Sequence, residues 1–149
     1  MPESTPSLTL ALLQARESAM GFFRPLLNRY GVTEQQWRVI RILRQTPDST
    51  LESREVADLA CILRPSLTGV LGRLERDGLV KRWKPETDQR RLCVTLTERG
   101  EALFDEMSKE MVRQYELIQE QLGPENFRTL MQLLRKVQGL HPGDPGPHT

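Results

Sequence analysis

Residues 64–78 read Arg64-Pro65-Ser66-Leu67-Thr68-Gly69-Val70-Leu71-Gly72-Arg73-Leu74-Glu75-Arg76-Asp77-Gly78, and residues 88–100 read Asp88-Gln89-Arg90-Arg91-Leu92-Cys93-Val94-Thr95-Leu96-Thr97-Glu98-Arg99-Gly100. In the first stretch Leu67, Val70, Leu71 and Leu74 recur at the three- and four-residue spacing of a helix with one apolar stripe. Pro65 suits the first turn, where its missing amide would have no partner, and Gly78 stands where a left-handed C-terminal residue is wanted. The opposite face carries Arg64, Ser66, Thr68, Gly69, Arg73 and Arg76: cations, short hydroxyls and a residue with no side chain. Beyond this helix, residues 79–84 and 91–96 alternate as two strands about a turn at 85–89, which predicts a basic hairpin.

Working outward, apolar residues from Leu8 to Leu27 predict a helix over 7–30, bent or tightened at Pro25 and ended by Gly31. Thr33 and Gln36 form a capping box for a second helix whose apolar side is Trp37, Ile40 and Leu43. Thr46-Pro47-Asp48-Ser49 breaks it. A short helix over 53–60 turns Val56, Leu59 and Ala60 inward. After the hairpin, Thr97 caps a long helix to about residue 122, Gly123-Pro124 interrupts, and 125–138 form the last helix. Helix, short helix, longer helix, basic hairpin is the order of a winged helix-turn-helix. The expected fold is mostly α with a small β-hairpin wing. Residues 33–97 are the DNA-binding region, 1–32 and 98–140 are N- and C-terminal helices forming a dimerisation region, and 141–149 are a disordered tail.

Composition narrows the function. Net charge is only +1, but residues 64–96 hold eight bases against four acids, so positive potential is local, as when one face meets phosphate. No apolar run is long enough to cross a bilayer, and residues 1–6 lack the pattern of a signal peptide, so the expected location is cytoplasmic, with no membrane partner. Cys61 and Cys93 lack metal-site spacing, and both histidines, His141 and His148, lie in the Pro- and Gly-rich tail. Neither metal nor other cofactor is expected, and no nucleophile–base set or phosphate loop stands out, which argues against an enzyme.

The 64–77 helix has the chemistry to enter a major groove. Its N-terminus favours phosphate, Ser66 and Thr68 can bond phosphates or base edges, and Gly69 permits close backbone approach. Asp88-x-Arg90, a strand ending Leu96-Thr97, and Gly100 three residues later resemble the wing signature of the MarR family, and residues 66–80 resemble that family's recognition helix and exit. The resemblance covers about residues 8–138. It implies that Arg90 reaches into a minor groove from the wing tip and that Asp88 pairs with an arginine to brace the wing. Lys84, Arg82 and Arg91 remain either phosphate contacts or solvated charges. The stretches 11–17, 34–38 and 60–69 further resemble a subgroup that represses operons for breakdown of 4-hydroxyphenylacetate, homoprotocatechuate and related aromatic acids, and that is released by the aromatic acid.

One such module contacts few base pairs, so a homodimer on a palindromic operator in double-stranded DNA is expected, with half-sites about 34–36 Å apart. The terminal helices carry more apolar residues than one small domain covers. A pocket for a small aromatic carboxylic acid is expected between the dimer region and the reading head. There Arg16 would hold the carboxylate beside Met20 and Phe23, and Trp37 would stack on the ring with Arg38 nearby. The plainer alternatives are a salt bridge for Arg16 and a core position for Trp37. Two other functional readings stand beside this one: a redox sensor using Cys61 or Cys93, and a winged-helix module for protein contact. Against the first, Cys61 reads as a small buried apolar residue and Cys93 as strand filler.

Overall fold

The structure, a computed structural model, describes residues 5–143. The chain divides into two compact units, residues 1–112 and 113–149. The described residues form α1 Leu8–Met20, α2 Arg24–Tyr30, α3 Glu34–Arg44, β1 Thr50–Glu52, α4 Ser53–Ala60, α5 Arg64–Arg76, β2 Val80–Trp83, β3 Cys93–Leu96, α6 Glu98–Leu122 and α7 Pro124–Gln138.

The helix expected over 7–30 is two helices, interrupted at Gly21-Phe22-Phe23 rather than bent at Pro25. The reason is local. Pro25 lacks an amide and its ring crowds the carbonyl four residues earlier, so it starts a helix more readily than it continues one. Tight bonds from Phe22 N to Ala19 O (3.1 Å) and Phe23 N to Met20 O (2.9 Å) close off α1 before α2 begins. Ser7 caps α1, its Oγ accepting from Leu10 N at 3.2 Å. No residue of α1 is buried within the chain.

α3 carries the expected capping box: Thr33 Oγ1 accepts from Gln36 N at 3.1 Å, and Gln36 Oε1 accepts from Thr33 N at 3.0 Å. A 3₁₀ turn, Pro47–Ser49, leads into β1, a strand that periodicity did not reveal. Three residues are too few to show alternation; pairing with β3 defines this strand. The sheet order is β1-β3-β2, all antiparallel, with Leu51 opposite Val94 and Arg82 also opposite Val94.

In α4 the buried residues are Val56, Ala57 and Ala60. Leu59, expected inside, is exposed, because at 3.6 residues per turn it lies about 100° from the centre of that stripe. Cys61 follows in the left-handed region (φ 54°) and is exposed, not buried as the sequence suggested. That φ reverses the chain at the end of α4 and carries the side chain out of the stripe. Cys93 is buried in β3.

α5 buries Leu67, Val70, Leu71 and Leu74. It ends in a Schellman motif: Gly78 is left-handed (φ 73°), its N–H bonds Glu75 O at 3.0 Å, and Leu79 N bonds Leu74 O at 2.9 Å. Thr97 joins this exit to the next helix. Its hydroxyl donates to Gly78 O at 2.7 Å and accepts from Gly100 N at 3.1 Å. Gly100 is required there, since a Cβ would collide with the Leu79 carbonyl oxygen and the Leu96 side chain.

The core of the first unit is Val39, Ile40, Leu43, Val56, Leu71, Leu74, Val94 and Met107, all but sealed from solvent. Each such side chain contributes about 1.5–3 kcal/mol by leaving water. In the second unit α7 begins at Pro124, one residue earlier than expected, and buries no residue. Of the tail, residues 144–149, with His148, lie outside the described residues; 141–143 are exposed and form no regular element. Among the described residues no helix is long and apolar enough to cross a membrane.

Candidate DNA-binding interface and effector site

Burying one stripe of α5 leaves Arg64, Pro65, Ser66, Thr68, Gly69 and Arg73 together on its exposed face. Pro65 lies in the first turn, and Arg64 is held only loosely, 3.9 Å from Asp58. A Cβ on Gly69 would meet nothing within 4 Å. Nothing inside the chain therefore requires glycine at 69; a close object outside would.

The wing arginines have different environments. Arg90 stands at the tip with its side chain 93% exposed, its backbone N–H and Nε donating to Asp88 Oδ1 at 3.1 and 3.2 Å. Lys84 is also exposed. Arg82 turns back onto α5: its backbone N–H donates to Glu75 Oε2 (3.0 Å), and its Nε and a terminal nitrogen donate to Oε1 (3.3 and 3.0 Å). Arg91 turns the other way and donates through Nε to Glu52 Oε1. These hydrogen bonds, with the positive charge beside them, hold the Glu75 and Glu52 carboxyls below their ordinary range. The sequence reading paired neither acid with these arginines, and for Glu52, 39 residues from Arg91, local spacing carries no signal.

Two of the expected effector residues, Arg16 and Arg38, approach one carboxylate that the sequence reading did not single out. Glu34, at the start of α3, accepts from Arg16 at 2.6 Å and from Arg24 Nε at 2.8 Å, with Arg38 4.0 Å away. Arg24 also donates to Glu17 at 2.9 Å, and Arg38 Nε donates to Ala60 O at 2.7 Å. Hydrogen bonding from Arg16 first, then Arg24, keeps the Glu34 carboxyl below its usual range. One ion-pair cluster thus joins α1, α2 and α3. Met20 is half-buried and Phe23 buried. Trp37 is only 8% exposed and stacks on Phe104, with centroids 5.4 Å apart and planes 11° from parallel. A separate cleft lies between the α2–α3 junction and the exit of α5, lined by residues including Tyr30, Gln36, Asp77, Arg99 and Glu106; none of the five expected effector residues lines it. At its edge Tyr30 Oη donates to Glu110 at 2.5 Å, which pushes the phenol up to about 12.

The MarR family profile matches residues 32–92. The chain is also 49% identical over 134 residues to the homoprotocatechuate degradative operon repressor of Escherichia coli, covering 90% of this chain and 89% of that protein. The chain belongs to the MarR family. As a MarR-family protein it is a winged-helix DNA-binding transcriptional regulator, and regulators of this family bind operators as dimers. Two crystal structures are similar along nearly the whole chain. The transcriptional regulator PA4135 is 58% identical with a TM-score of 0.89, covering 93% of this chain and 100% of that one. NadR in complex with 4-hydroxyphenylacetate is 45% identical with a TM-score of 0.82, covering 95% of this MarR-family chain and 100% of that one.

Proposed function

We propose that this protein is a homodimeric, cytoplasmic repressor of an operon for breakdown of 4-hydroxyphenylacetate, homoprotocatechuate or a related aromatic acid, released from its palindromic operator by a phenolic or aromatic carboxylic acid. The observation that carries the reading is similarity along almost the whole chain to a homoprotocatechuate operon repressor and to NadR bound to 4-hydroxyphenylacetate. In this reading α5 enters the major groove through Arg64, Pro65, Ser66, Thr68, Gly69 and Arg73. Arg90 enters the minor groove, and Lys84 meets phosphate.

Residues 1–32 and 98–140 form the dimerisation region. Leu8, Leu10 and Leu13 on α1 and Leu130 and Leu133 on α7 are each between 40% and 55% exposed, which supports a second subunit as their cover. The aromatic acid binds near Arg16, Met20, Phe23, Trp37 and Arg38. Arg16 exchanges Glu34 for the ligand carboxylate, so binding rearranges the cluster that joins α1 to α3. A ligand that binds the non-operator arrangement more tightly shifts the population away from DNA.

The test selects a duplex from a randomised library with the purified protein and titrates the complex with hydroxylated phenylacetic, benzoic and cinnamic acids. Release by at least one of them is expected. A selected duplex that none of them displaces would overturn the effector reading.

A further inference from the structure

The tip of the wing, residues 84–92, projects beyond the three-stranded sheet on β2 and β3 and forms no strand of its own. Its angle must come from what β2 and β3 are tied to. Two ion pairs do this, one on each strand side. On β2, Arg82 grips Glu75 of α5 through three hydrogen bonds. At the head of β3, Arg91 donates to Glu52, which ends β1 and caps α4. Ser53 N bonds Leu92 O at 2.8 Å and carries the β1–β3 pairing to this point. The Glu52 side chain is only 16% exposed, and its second oxygen accepts from Arg54 Nε at 3.0 Å. Arg90, one residue away, is 93% exposed.

We propose that Glu52 and Arg91 are positioning residues for operator binding: their ion pair fixes the wing against α4 so that Arg90 and α5 engage DNA in one register, and Arg91 makes no phosphate contact. This inference rests on the DNA-binding reading above. An isolated carboxylate in a basic reading head only repels phosphate, so Glu52 serves there by holding Arg91 and not by its own charge.

The test is a double-mutant cycle on the duplex selected by the wild-type protein. Glu52→Gln and Arg91→Gln each weaken binding about tenfold, and the double variant is no weaker than either alone. The charge swap, Glu52→Arg with Arg91→Glu, recovers most of the affinity that Arg91→Glu loses. Slopes of log affinity against log salt stay at the wild-type value for both glutamine variants, whereas Arg90→Ala lowers the slope by about one. Thermal melts identify any unfolded charge-reversal variant, in which case the glutamine cycle decides. Additive losses, or a reduced salt slope for Arg91→Gln, would show Arg91 on phosphate and overturn the proposal. Failure of the wild-type protein to enrich any duplex would instead remove the operator reading and this inference with it.

Discussion

Trp37 lies nearly flat on Phe104, its indole plane 11° from parallel with the phenyl ring, so a helix of the reading head and the long helix α6 share one aromatic contact. Truncating either ring removes the stacked contact and leaves the other ring's face uncovered. Phe104→Ala should destabilise the fold by about 2–4 kcal/mol, somewhat less than a fully buried phenylalanine because Phe104 is half-buried. Urea denaturation measures the loss, and the change in Trp37 fluorescence reports the broken stack. A loss below half a kcal/mol would mean the contact is incidental.

Two glycines should respond in opposite ways. Gly69→Ala meets empty space on an exposed helix face, so it should stabilise the fold by about 0.5–1 kcal/mol and still weaken operator binding. Gly100→Ala collides with backbone and with Leu96, and should cost about 1–3 kcal/mol. Melting curves beside binding titrations separate the two. Gly69→Ala binding DNA as well as wild type would show that nothing approaches that backbone.

Arg16 is exposed and tied to Glu34, and it is no part of α5 or the wing. Arg16→Ala should leave affinity for the selected duplex within about threefold and abolish release by the aromatic acid. Release at the wild-type acid concentration would discard Arg16 as the carboxylate's partner.

Leu13 is 55% exposed on α1, a helix with no buried residue. Leu13→Asp should place an unpaired charge in the proposed subunit interface and yield monomers in analytical ultracentrifugation. Operator binding should fall at least about a hundredfold, because one half-site contacts too few base pairs. Dimers of unchanged stability would move the interface elsewhere.

Stability should fall at both ends of the pH scale. Glu17, Glu34, Glu52 and Glu75 have folded-state values below the ordinary 4.5, so the folded state binds fewer protons than the unfolded chain. Their contribution is complete above pH 4.5 and is lost as pH drops through the folded values. Tyr30 is shifted from 10.0 to about 12, so its contribution is present below pH 10 and is lost as pH rises through 12. Urea midpoints across the range check both limbs, and Tyr30→Phe should flatten the alkaline one.

What sequence conveyed here was what neighbours decide. The Thr33–Gln36 box, the left-handed Gly78 and the Leu67–Leu74 stripe are set within a few residues, and each is where its local chemistry placed it. What sequence withheld depends on partners distant along the chain. β1 exists through its pairing with residues 93–95, and Glu52 reaches Arg91 across 39 positions. Glu34 binds Arg16 across 18. Arg82 and Arg91 stayed open between phosphate contacts and solvated charges, because no spacing rule ties them to Glu75 and Glu52. Pro25 misled for a different reason: the same residue bends a continuing helix or begins a new one, and only the closed turn at residues 21–23 distinguishes the two.

α1 and α7 bury nothing within their own chain. Short helices with no fully buried side chain hold weakly by themselves, so their order leans on whatever covers their exposed leucines. With a second copy as that cover, folding obeys mass action: dilution melts the outer helices and separates the subunits in one event, and the unfolding midpoint rises with protein concentration. The number of copies in a cell then governs how many intact readers exist as well as how often an operator is occupied. Newly made chains at low abundance would add little to repression until they found one another.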